Sequence, residues 1–119
     1  MKIQVNSDKT ISVHEGLTHF VEAEVGRVLD RFAAKLTRVE IHLSDIDNRK
    51  TGQADKRCLI EVRPAGARPL SASAKALRVD SAVAAALGKM RRELTTFFGR
   101  RGWTAAAVTL PVSSDNTIV

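Results

Sequence analysis

The chain has 119 residues, 44% of them hydrophobic and 27% charged, and a formal net charge of +6. This is ordinary globular composition, which excludes a wholly disordered chain, and the length suits one domain that buries roughly two-thirds of its unfolded surface. The single Cys58 excludes an internal disulfide, and the N-terminus lacks an apolar stretch of signal-peptide or membrane-spanning length, so a cytosolic protein with no membrane association is expected.

Lys2 to Val5 alternates polar and apolar residues, with Ile3 and Val5 on one side, and reads as a short strand ended by the turn-like NSDKT. Ser12 and Glu15 have the spacing of a capping box, in which each side chain satisfies an amide at a helix start. Leu17, Phe20, Val21, Val25, Val28, Leu29, Phe32 and Leu36 then recur at helical spacing, which predicts a one-sided helix over 13–36. Val39, Ile41 and Leu43 alternate with Glu40, His42 and Ser44 as a half-buried strand. Cys58, Ile60 and Val62 mark a third strand and Leu70, Ala72 and Ala74 a fourth, with the Pro and Gly turn PAGAR between them. Val79, Val83, Ala86, Leu87, Met90, Leu94 and one of Phe97 or Phe98 form a second amphipathic stripe over 78–99, where Gly99 is a stop signal.

The order is βαβββα. The expected fold is of the α+β class, a two-layer sandwich with a four-stranded sheet and both helices on one face. The last three strands form a meander and the first lies beside or among them. Residues 1–102 make this domain, and the weakly patterned 103–119 read as a C-terminal tail, partly disordered.

The run from His42 to Arg63 holds about ten polar residues between two strands, where a hairpin needs only ~2 to 5. A calcium loop starting at Asp45 would require an oxygen ligand, a glycine and a glutamate where the chain has Arg49, Lys50 and Lys56, so no metal is expected there. Catalysis has no better footing. His14 and His19 fall on different faces of the first helix, and His42 shares a strand side only with Glu40 and Ser44. No strained serine turn or phosphate-binding glycine loop is present, and Cys58 takes a core-facing position, so neither an enzyme nor a cofactor nor a small-molecule substrate is expected.

Charge is the informative feature. Residues 1–47 carry six bases and eight acids, whereas 48–119 carry thirteen bases and five acids. At ~100° per residue, Arg78, Lys89, Arg92 and Arg100 share one arc of the second helix, placed opposite its apolar stripe. Arg91 is on a flank, Lys75 precedes the helix, Arg101 follows it, and only Glu93 intrudes. A solvated face more commonly mixes signs, so this one points to phosphate. The solvent side of the sheet offers Gln4, Glu40, His42, Ser44, Glu61, Arg63, Ser71 and Ser73 but no aromatic for base stacking, which leaves backbone and shape recognition of folded RNA. The loop bases Arg49, Lys50, Lys56 and Arg57 have the same sign and are candidate additional contacts.

The element order, "LTHFVEAEVGRVLDRF" in the first helix and "VDSAVAAALGKMRREL" in the second resemble the ribosome hibernation family, which includes hibernation promoting factor and ribosome-associated inhibitor A and was once called the sigma-54 modulation proteins. The matching positions in the second helix are Asp80, Val83, Lys89, Met90, Arg92 and Leu94, and the similarity spans about residues 1–101. The resemblance implies a translation inhibitor that binds small-subunit rRNA in the mRNA and tRNA channel through basic helical surface. Lys89, Arg92 and Arg27 match bases of the family; Lys75, Arg78, Arg91 and Arg100 are added from the charge geometry alone. Glu24 departs from the family, standing where a base is usual. Long-form members append a domain that pairs two ribosomes, and with only the tail here direct ribosome dimerisation is not expected. The alternative is a regulatory module that binds protein, such as a sigma factor or a stress-signalling partner; an RNA-processing enzyme ranks third.

Overall fold

A computed structural model of the chain describes residues 1–8, 11, 13–46 and 56–100. Its elements run β1 (Lys2–Ser7), α1 (Glu15–Leu29), a 3-10 turn (Asp30–Lys35), β2 (Leu36–Asp45), β3 (Lys56–Pro64), β4 (Leu70–Ala76) and α2 (Val79–Arg100). One four-stranded sheet has the order β1-β2-β3-β4. β1 is parallel to β2, as a crossover through α1 requires, while β2, β3 and β4 are an antiparallel meander. The expected βαβββα sandwich is the observed fold, with β1 at the edge beside β2.

Strand alternation sets the two faces. Ile3 and Val5 pair with Val39 and Ile41, and Ile41 and Leu43 with Ile60 and Cys58, so one continuous apolar surface faces the helices. Val21, Val25 and Leu29 of α1 pack against it, with Ala82, Val83, Ala86, Leu87, Met90, Leu94 and Phe98 of α2. Small residues meet there: Ala82 and Ala86 on α2 and Ala72 and Ala74 on β4 let the helix sit close over β3 and β4. Phe32 and Phe98 stack at 5.7 Å and tie the end of the first helical segment to the end of α2.

The first helix departs from its expected limits at both ends. Its N-cap is His14, whose Nδ1 accepts from the Leu17 amide at 3.1 Å, and Ser12 lies outside the described residues. At the other end the α-helix stops at Leu29 and tightens into the 3-10 turn. A three-residue period sets Phe32 above Leu29, and both are fully buried. Leu36, read as helix from its spacing, instead opens β2, where its extended backbone still buries the side chain. β2 carries an irregularity between Leu36 and Arg38, and Thr37 Oγ1 donates there to the Arg63 carbonyl at 3.1 Å. The other strands and α2 lie within two residues of their expected bounds.

Candidate nucleic-acid interface

Chain direction gives the molecule two unlike ends. α2 begins beside the end of β4 and the start of β3, and runs back to the β3–β4 turn and the end of α1. Its last three turns therefore lie between two grooves. One groove, of about 700 Å³, is lined by Lys89, Arg92, Glu93, Thr96 and Arg100 with Leu70 and Phe97. The other, of about 590 Å³, is lined by Arg27, Asp30, Arg31, Arg91 and Arg92 with Thr95 and Thr96. Arg92 borders both. A third surface runs on from Leu70 and Phe97 to Arg63 and Arg68 at the β3–β4 turn. One end of the molecule thus gathers bases from α1, β3, the turn and α2 around a single helical ridge.

The basic arc is not opposite the core, as the sequence suggested, but beside β4. Buried positions take up a wide sector of α2, and the arc adjoins its β4 side. Lys89 shows this directly, since its Nζ donates to the Ser73 carbonyl at 2.9 Å. Arg78 shares the arc in angle only. It precedes the first of 22 helical residues, roughly 33 Å from Arg100 along the axis. There it makes a two-pronged ion pair with Asp80, at 3.0 and 2.9 Å. That hydrogen bond holds the Asp80 carboxyl below its usual range and raises the guanidinium. Lys75 is also set apart. It pairs in register with Arg57 on the sheet face away from the helices.

Arg27 reaches the inter-helix groove but is engaged by Glu24 at 2.8 Å, the position where the family usually has a base. The hydrogen bond from Arg27 lowers the Glu24 carboxyl and raises Arg27 itself. Among the described residues no carboxylate forms an ion pair with Arg91, Arg92 or Arg100. Lys56 pairs with Asp45 at 3.0 Å, and β3 begins at the far end from the ridge. Arg49 and Lys50 lie outside the described residues, as do Arg101 and the 103–119 segment.

Sequence reasoning missed Arg31, Arg63 and Arg68. Their spacing carries no shared period; the only local hint is the pair of arginines around the PAGAR turn.

A family model described as sigma 54 modulation protein / S30EA ribosomal protein matches residues 3–101. The chain belongs to this family. The sigma 54 modulation fold is also seen in two solved structures, each 16% identical to this chain. The N-terminal domain of Thermus thermophilus Protein Y has a TM-score of 0.65 over 82% of this chain and 99% of that one. A ribosomal subunit interface protein from Coxiella burnetii has a TM-score of 0.69 over 83% and 99%. No curated protein matches the chain significantly. Among the described residues no helix is long and apolar enough to cross a membrane.

Proposed function

We propose that the chain is a non-enzymatic translation inhibitor that binds the ribosome, laying the ridge of Lys89, Arg91, Arg92 and Arg100 on small-subunit rRNA and occupying surface that mRNA and tRNA need. Membership of the S30EA family supports a ribosomal partner. The observation that carries the reading is the pair of grooves flanking α2, where six bases face two acids, Asp30 and Glu93. Arginine and lysine in this density suit phosphate, and the two grooves run side by side along the last turns of one helix. Arg27 contributes less than its position suggests, because Glu24 already takes its guanidinium.

Co-sedimentation with purified ribosomes across a salt series tests this. If ~5 phosphates are neutralised, log affinity falls against log salt with a slope of about −3.5 to −4.5. A module that binds protein, the reading suggested by the sigma 54 part of the family description, has a much flatter slope. Lys89→Ala/Arg92→Ala is expected to weaken binding and shallow the slope. Unchanged binding by that variant refutes the site, and no sedimentation of the wild type refutes the function.

A further inference from the structure

The sheet face away from the helices carries a cluster that rRNA binding by α2 does not use. Glu40 on β2 and Glu61 on β3 are direct cross-strand partners, and His42 lies two residues along β2 on the same face. Like charges directly opposite one another destabilise an antiparallel pair. Here they converge on one nitrogen: His42 Nε2 is 3.2 Å from Glu40 Oε1 and 3.4 Å from Glu61 Oε1. All three donor atoms lie within 4.8 Å of one another.

We propose that Glu40, His42 and Glu61 bind a divalent transition cation of zinc type. A tetrahedral ion with nitrogen and oxygen ligands at ~2.0 to 2.1 Å keeps its ligand atoms roughly 3.3 to 3.4 Å apart. The two histidine-to-glutamate spacings already match that edge. The third edge, between the two glutamate oxygens, lies within 4.8 Å, and the soft terminal torsion of the more exposed Glu61 gives it room to adjust. Two positions spaced by two on one strand and a third across the ladder hold the donors on rigid backbone, without a loop.

The surroundings fit the same reading. Arg38 Nε holds the second oxygen of Glu40, Oε2, at 2.9 Å, which orients the carboxylate and leaves Oε1 for the ion. Two carboxylates and a neutral imidazole match a dication, and imidazole favours zinc over magnesium or calcium. The side chains are 25%, 36% and 46% exposed for Glu40, His42 and Glu61, so an ion can enter and a water can complete the shell. Arg38 and Arg63 border a small adjoining cavity of about 160 Å³ with both glutamates. They offset the carboxylates and limit the affinity. Cys58 does not compete, since it is buried and faces the helices.

The test is calorimetric titration of the full chain with zinc sulfate, for wild type, His42→Gln, Glu61→Gln and His14→Asn/His19→Asn, the last removing the other imidazoles. One equivalent should bind the wild type and the His14/His19 variant alike. Each substitution in the cluster should weaken it by more than about tenfold, since loss of even an outer partner costs ~10- to 100-fold. Cobalt-loaded wild-type protein should show NMR broadening centred on the amides of residues 40–42 and 59–61, a readout independent of how the variants fold. Zinc binding that survives both cluster substitutions, broadening centred elsewhere, or no binding at micromolar zinc overturns the site.

Discussion

Lys89 serves the fold as well as the proposed interface. β4 is an edge strand, and an edge presents unpaired backbone groups to any other strand. The Lys89 ammonium caps the Ser73 carbonyl of that edge at 2.9 Å, so a phosphate that recruits Lys89 competes with a bond inside the protein. Arg92 faces no such competition from a carboxylate among the described residues and is the better probe of the interface. Cys58 illustrates a residue whose chemistry is silenced by packing. Burial pushes its thiol from 9.0 up to about 12. A raised acid binds its proton more tightly in the folded state, so the stabilisation is complete below pH 9 and is lost as pH rises from 9 towards 12. The expected slope is about 1.4 kcal/mol per pH unit across that window. Urea denaturation at alkaline pH should show it in the wild type and not in Cys58→Ala.

At the scale of elements, the β3–β4 turn decides where Arg63 and Arg68 stand. Ala67 donates its amide to the Pro64 carbonyl at 3.2 Å, closing a tight turn in which Gly66 has a φ of +70°. A side chain has open space there, so the cost of Gly66→Ala is conformational and not a clash. It should be about 1 to 2 kcal/mol, measured as a lower urea midpoint with an unchanged slope. The first helical segment shows a different compromise. Its apolar spacing suits a continuous helix to Leu36, yet the chain must reverse to place β2 in the sheet. The 3-10 turn keeps Leu29 and Phe32 buried while shortening the path. α2 needs no such adjustment. Asp80 in its first turn and Arg100 in its last complement the helix dipole, and its ends fall within a residue of those expected.

At the scale of the whole molecule, bases from several elements meet at one end. The end made by the α1 terminus, the β3–β4 turn and the last turns of α2 gathers Arg27, Arg31, Arg63, Arg68, Arg91, Arg92 and Arg100. Toward the opposite end Arg78 and Lys56 are each matched by an aspartate, and Arg57 and Lys75 are register partners on the sheet face away from the helices. Binding should follow this division. Arg31→Ala/Arg68→Ala should weaken ribosome binding and reduce the salt slope by roughly 0.7 to 0.9 for each phosphate that is no longer neutralised. Lys56→Ala/Arg57→Ala should leave the slope unchanged. A larger effect from the second pair would move the interface to the hairpin end, and the same co-sedimentation series distinguishes the two.

Most of the architecture was legible because burial leaves a period in a linear chain. Ile3 and Val5, Val39 to Leu43, Cys58 to Val62 and the stripe of α2 each repeat at two or at three and four, and these patterns alone determined element types, order and the apolar face of each. Charge behaves otherwise, because it is long-ranged and indifferent to period. Counting angles on α2 grouped Arg78 with Arg100 although a helix length separates them, and it missed Arg31, Arg63 and Arg68, which reach the same end from other elements. His42 and Glu40 were visible as neighbours on one strand, but Glu61 joins them only through the register of β2 on β3. Sequence by itself determined which face of each strand and of α2 is apolar; only the tertiary structure decided how deeply each residue is buried and which charged groups meet, since both depend on distances between segments remote along the chain.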